Sequence, residues 1–198
     1  IRQYREMGLR ICVLRPRTII GIERLGIFHI LFDWMKAGKR IPIIGKGDNL
    51  FQFVSSRDCV QACLLAVEHA SNDDFNLGAE EFSTVKADLQ AVADYAATGA
   101  RVVSIPAPMV KMPLQVLDVM RLSPLMDWQY KVADKPFYFD VTKAKELLGW
   151  QPEDSNIGMF IDSYDWYVNN YTDAVEAYGS THRQAVKQRF LRLLRGVF

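Results

Sequence analysis

The sequence predicts an α/β fold with a largely parallel sheet. Short runs rich in Ile and Val alternate with amphipathic helical stretches from Leu9 to Ile105. Of the 198 residues, 49% are apolar and 24% charged, enough for one real core. That profile excludes disorder, a collagen-like repeat and a disulfide scaffold. The 24 Lys and Arg against 23 Asp and Glu leave a formal charge of +1, so no global field recruits nucleic acid.

The elements follow in order. Residues 1–7 read as the tail of a helix stopped by Gly8. The chain opens without Met, so it is expected to be cut from something longer. Residues 9–15 form a buried strand ended by Pro16, and 17–21 a loop. Residues 26–37 are helical, with Ile27, Ile30, Leu31, Trp34 and Met35 on one face and Gly38 beyond the end. A strand at 41–44, a glycine turn at 45–49 and a strand at 51–54 come next. Asp58 or Ser56 caps a helix running to about His69. Residues 75–78 are strand-like, Ser83 or Thr84 caps a helix through Ala97, and 101–105 is a strand ended by Pro106.

The second half is less regular. Residues 107–130 hold a helix and then an irregular loop. Asp140 caps a short helix stopped by Gly149. A last packed helix runs from Ser155 to about Tyr171, presenting Met159, Phe160, Tyr164, Tyr167 and Val168.

Self-contained catalytic groups are scarce. His29, His69 and His182 have no ligand-spaced partner and read as structural or exposed, so no metal site is expected. Cys12, Cys59 and Cys63 are an odd number and suit buried thiols in a reducing compartment. Cys59 and Cys63 stand at i, i+4 and read as core packing. No G-x-S-x-G, Walker A, H-E-x-x-H or G-x-G-x-x-G pattern occurs, and no catalytic residue is assigned. No apolar run reaches about 18 residues. With no signal peptide at the start, the chain reads as cytoplasmic.

Four segments in fixed order carry a resemblance. Arg15-Pro-Arg-Thr-Ile-Ile-Gly21 is similar to a strand-end R-P-x-N-x-Y-G, and residues 45–58 to G-x-G-x-x-x-R-x-F-V-x-V-x-D. Phe75-Asn-Leu-Gly-Ala79 is similar to Y-N-I-G, and residues 140–152 to D-x-S-K-A-x-x-x-L-G-W-x-P. Together they resemble the C-terminal portion of the NAD-dependent epimerase/dehydratase family of extended short-chain dehydrogenases/reductases, over about residues 1 to 170.

The resemblance implies the C-terminal part of a Rossmann-like parallel sheet with a smaller substrate-binding lobe. Residues 1–106 would hold the Rossmann-like part, 107–172 mainly the lobe, and 173–198 a tail. The glycine-rich loop and the catalytic Tyr and Lys would lie before Ile1. The cofactor, NAD or NADP, would then belong to a longer parent and not bind this chain tightly. Pro16 and Thr18 would border the nicotinamide, with Thr18, Gly45, Asn49, Phe51, Gln52 and Lys131 on the substrate side. The alternative is that Pro16 ends a strand, Thr18 satisfies a turn and residues 45–49 form a plain tight turn.

Two departures bear on the substrate. Phe51 stands where nucleotide-sugar binders of the family carry Arg, and Tyr130-Lys-Val-Ala-Asp134 stands in place of R-P-G-D. Phe cannot grip a diphosphate, and Lys131 does so only as a point charge. Phe51, Phe53 and residues 109–128 suit a more apolar ligand, or simply core packing. The resemblance thus implies the substrate side of a NAD(P)-dependent epimerase, dehydratase or reductase acting on a sugar-like or other hydroxylated small molecule, inactive in this length.

The tail supports another reading. In residues 182–198, Val186, Phe190, Leu193, Leu194 and Val197 share a helical face, and Arg183, Lys187, Arg189, Arg192 and Arg195 mostly take the other. Residues 181–198 then lie on an anionic membrane surface or against a second subunit, a homodimer, or dock on the body. On this alternative the chain is a non-catalytic, membrane-peripheral or partner-binding module with a family-derived fold.

Overall fold

Parallel strand pairs frame the computed structural model, which describes residues 1–22, 24–69, 72–120 and 127–170. After a short α1 (Arg2–Glu6), β1 (Val13–Pro16) pairs with β5 (Asp74–Leu77). β2 (Thr18–Ile20) pairs with β4 (Phe53–Ser55), and β3 (Arg40–Ile44) with β6 (Arg101–Ile105). All three pairs are parallel, as the alternation of elements requires. Among the described residues they stay three separate two-stranded pairs rather than one continuous ladder.

Helices cover them: α2 (Phe28–Lys36), α3 (Ser56–His69), α4 (Val85–Ala96), α5 (Ala107–Val119), α6 (Asp127–Val132), α7 (Thr142–Leu148) and α8 (Asn156–Asn170). None of the described helices is long and apolar enough to cross a membrane. The expected tail helix at 181–198 lies outside the described residues.

Four local expectations are corrected. The loop expected at 17–21 contains β2, because Ile19 and Ile20 pair with Val54 and Ser55 and Ile20 is fully buried. The strand expected at 51–54 begins only at Phe53; Phe51 instead makes an isolated bridge with Phe137. Ser55, not Ser56 or Asp58, caps α3, its Oγ accepting from the Asp58 N–H at 2.9 Å. Val141 occupies the cap position of α7, and Asp140 accepts from the Thr142 N–H one residue later at 2.8 Å. Thr84 does cap α4, accepting from the Ala87 N–H at 3.2 Å.

Two apolar clusters hold the layers. The larger joins Ile20, Phe32, Met35 and Ile41 to Val92 of α4 and to Met159, Phe160, Tyr164 and Tyr167 of α8. Phe28, Phe53 and Phe160 meet edge to face within it, with ring centroids 4.9 to 5.4 Å apart. The smaller sets Val54, Phe75 and Leu77 against Ala144, Leu148 and Trp150. Cys59 packs on this second cluster, and burial pushes its thiol up to about 11. Cys63 is exposed, so the core placement expected for the pair holds for Cys59 alone.

Buried polar groups stitch distant segments together. The Asp58 carboxylate accepts from the N–H groups of Glu153 and Asp154 at 3.1 and 3.3 Å, and its carbonyl accepts from Trp150 Nε1 at 3.0 Å. Fully buried Asn156, at the start of α8, accepts from the Phe53 N–H at 3.0 Å and donates to the Phe51 carbonyl at 2.7 Å. Arg5 donates to the Ile11 and Asp73 carbonyls and to Asp74, fastening α1 to β5. That contact holds the Asp74 carboxyl below the usual carboxylate range.

Candidate functional site

A cavity of about 240 Å³ opens where β2, β3 and β4 meet α2, α4 and α8. Phe28, Leu31, Ile43, Phe51, Phe53 and Leu89 are among its lining residues. Thr18 and Asp88 are the two polar residues in that lining. A dry cavity of about 150 Å³ already accepts a benzene ring, so this one has room for a compact apolar body.

Asp88 sits in the first turn of α4, its N–H bonded to the Thr84 carbonyl at 2.9 Å. The side chain is buried, and Oδ2 accepts from Asn156 Nδ2 at 2.7 Å and from the Ser83 N–H at 3.4 Å. Oδ1 has no hydrogen-bond partner among the described residues. Burial raises the carboxyl above its ordinary range, outweighing the two bonds that favour the charged form. Asp88 is thus a carboxyl in the cavity lining whose Oδ2 is bonded and whose Oδ1 is closed off from solvent.

The residues singled out in the sequence divide into three groups. Thr18 and Phe51 line the cavity together. Asn49 and Gln52 are buried: Asn49 donates to the carbonyls of Ala133 and Lys135 at 3.2 and 2.9 Å, while its Oδ1 has no hydrogen-bond partner among the described residues. Gln52 donates to the Ala79 carbonyl at 2.7 Å and accepts from the Phe139 N–H at 2.8 Å, tying the 78–79 and 137–139 segments together. Pro16, Gly45 and Lys131 stand outside the lining. Pro16 is exposed at the end of β1 beside Leu77. Gly45 has a φ of +81°, and a Cβ there would meet Asp134 Cβ at 2.9 Å, so its role is close packing. Lys131 is exposed on α6, and its carbonyl accepts from Lys111 Nζ at 3.1 Å.

Sequence reasoning missed Asp88 and Arg17. Asp88 carried a signal: Val85, Asp88, Leu89 and Val92 share one face of α4, so a carboxylate falls inside an apolar stripe. Arg17 had none, because the rings it faces lie far along the chain. Its guanidinium carbon lies 3.2 Å from the Phe137 ring centre and 4.4 Å from that of Phe139. Burial lowers it to about 10, which leaves it charged at neutral pH.

Among the described residues, no three of His, Cys, Asp and Glu gather as a metal site. A dinucleotide's pyrophosphate fits poorly here. Side-chain oxygens of Ser55 and Thr84 already occupy the N-termini of α3 and α4, and no G-x-G-x-x-G turn is present in the sequence.

Residues 1–78 match the model of the NAD dependent epimerase/dehydratase family. This corrects the extent of the resemblance read from the sequence. The match covers the N-terminal, Rossmann-type stretch of the chain, not a C-terminal portion over residues 1 to 170. The uncharacterized protein y4nG of Sinorhizobium fredii is 39% identical over 187 residues, 94% of this chain and 47% of that one. The mouse sterol-4-alpha-carboxylate 3-dehydrogenase, decarboxylating, is 28% identical over 155 residues, 70% of this chain and 42% of that one. The UDP-glucose 4-epimerase of Thermotoga maritima, solved with UDP-glucose, superposes with a TM-score of 0.61 at 26% identity, over 83% of this chain and 48% of that one.

The chain is therefore related to NAD-dependent epimerases and dehydratases. It has an α/β fold with parallel strands resembling the epimerase Rossmann domain, and spans about half the length of the curated relatives it matches. Solved structures of similar fold include a UDP-glucuronic acid 4-epimerase of Bacillus cereus in complex with NAD and RMD of Pseudomonas aeruginosa complexed with NADPH.

Proposed function

We propose that this chain forms the substrate cradle of a NAD(P)-linked epimerase, dehydratase or reductase whose substrate is a hydroxylated molecule with an apolar body. The observation that carries the reading is the cavity lining: apolar side chains nearly throughout, with Thr18 and Asp88 as its polar residues. A few placed polar groups in an apolar wall fix the orientation of such a ligand. The family relationship supplies the class of chemistry, and the mouse sterol dehydrogenase is a relative named for an apolar substrate. Phe51 packs against Phe53 and Phe137 with centroids 5.0 and 5.2 Å away, an aromatic wall that offers a diphosphate nothing to bind.

By itself the chain is without activity on this reading. Hydride transfer needs a nicotinamide held against the substrate beside a proton donor. The sequence contains neither a glycine-rich dinucleotide turn nor a Tyr-x-x-x-Lys pair.

Calorimetric titration tests the proposal with menthol as the apolar alcohol, UDP-glucose as the nucleotide sugar, and NADH. Menthol is expected to bind, and the Phe51→Ala variant to bind it more weakly. Tighter binding of UDP-glucose than of menthol, or micromolar binding of NADH to the chain alone, overturns it.

A further inference from the structure

α5 is an apolar helix that the described residues leave largely uncovered. Leu114 is its one buried residue, while Met109, Met112, Val116 and Val119, with Met120 at the cap, are 60% to 88% exposed. These positions recur at helical spacing along 13 residues, about 20 Å of surface. The two charged residues of the helix do not interrupt them: Lys111 is half-buried and paired with Asp134, and Asp118 is half-buried. Gln115 is the one exposed polar side chain. Single apolar residues are ordinary on a surface, but a continuous uncharged face marks a contact with another apolar phase.

We propose that α5 lies in the surface of an anionic lipid bilayer, its axis in the membrane plane and its Met and Val side chains among the acyl chains. Lipid is favoured over a protein partner because protein interfaces carry hydrogen bonds and a polar rim, and this face offers Gln115 alone. A bilayer needs no such groups, and unbranched Met side chains adapt to its irregular packing. With 13 residues the helix is too short to span, so it lies in the interface. The charge of the chain complements an anionic surface. Lys131 and Lys135 are exposed on and after α6, which Lys111 ties to α5 through the Lys131 carbonyl and Asp134. Residues 181–198, outside the described residues, carry five cations and no acid. The lipid contact stands on α5. One consequence rests on the cavity reading above: Val132 and Ala133, next to Asp134, line the cavity, so the membrane would hold it close to apolar alcohols dissolved there.

Flotation of the full chain with phosphatidylcholine vesicles, with and without phosphatidylserine, tests the proposal. The chain is expected to float with the anionic vesicles, and Met112→Glu/Val116→Glu to lower the bound fraction about ten-fold or more. Both positions are exposed, and an unchanged urea midpoint shows that the variant folds; Val119→Glu, at the most exposed position, should act in the same direction. Leu64→Glu/Val67→Glu places the same charges on exposed positions of α3 and should float like wild type. Absence of flotation by wild type overturns the proposal, as does an equal loss in the two double variants. Equal flotation with neutral vesicles overturns the anionic preference. Flotation that survives Met112→Glu/Val116→Glu but is lost in Arg189→Glu/Arg192→Glu gives the membrane contact to residues 181–198 and overturns the role of α5. A wild-type dimer in sedimentation velocity that Met112→Glu/Val116→Glu dissolves gives the face to a second copy and also overturns it. Menthol titration of the same variants should match wild type. Protein that floats but binds no menthol leaves the membrane contact standing and fails the cavity reading.

Discussion

Asp88 shows how one side chain serves both scaffold and cavity. One of its oxygens is tied to Asn156 and Ser83, and the other has no partner among the described residues. Its raised pKa means the folded state holds the proton more tightly than the unfolded chain does. The stability this contributes is complete below the ordinary carboxylate value of about 4 and is lost as pH rises through the elevated folded value. Urea midpoints measured across that range should therefore show wild type losing ground to Asp88→Asn as neutrality is approached; parallel curves would contradict the assignment. The position was legible as a carboxylate within the apolar stripe of α4. Gln52 and Asn49, which the resemblance puts on the substrate side, are each bonded to backbone far along the chain, a partnership no local pattern announces. Arg17 was invisible for the same reason, since Phe137 and Phe139 lie remote from it in sequence.

At the scale of elements, α8 is the part that the rest leans on. Its packed face was readable from the 3.6-residue period, and Met159, Phe160, Tyr164 and Tyr167 are all buried; Val168 is 36% exposed. What periodicity could not show is its first residue. Asn156 reaches the backbone on both sides of Gln52 and the Asp88 carboxylate. Asn156→Ala leaves these groups without partners and should cost about 3 kcal/mol or more. Asn156→Asp should be worse at neutral pH, because it sets a second carboxylate against Asp88, and its deficit should shrink in acid. Urea unfolding of both variants at two pH values checks the order. β2 escaped sequence reading because three residues after an R-P pair make too short a run to signal a strand, and only pairing with β4 defines it.

For the molecule as a whole, the α/β class and the parallel sense of the pairs were evident from alternating elements. The division into three separate pairs was not, since register and neighbour choice depend on contacts between distant segments. The cavity belongs to this level as well: β2, β3, β4, α2, α4 and α8 each supply part of its wall. Leu89→Trp should fill it, removing menthol binding while changing stability by about 1 to 3 kcal/mol in either direction, as overpacking competes with added contact. Binding that persists in this variant would place the ligand elsewhere.

The Asn156 bonds to Phe53 and Phe51 close over 103 and 105 residues of chain. Loop-closure entropy at that range is met before any bond repays it, so the polar hub can complete only late, after most of the polypeptide has been gathered in.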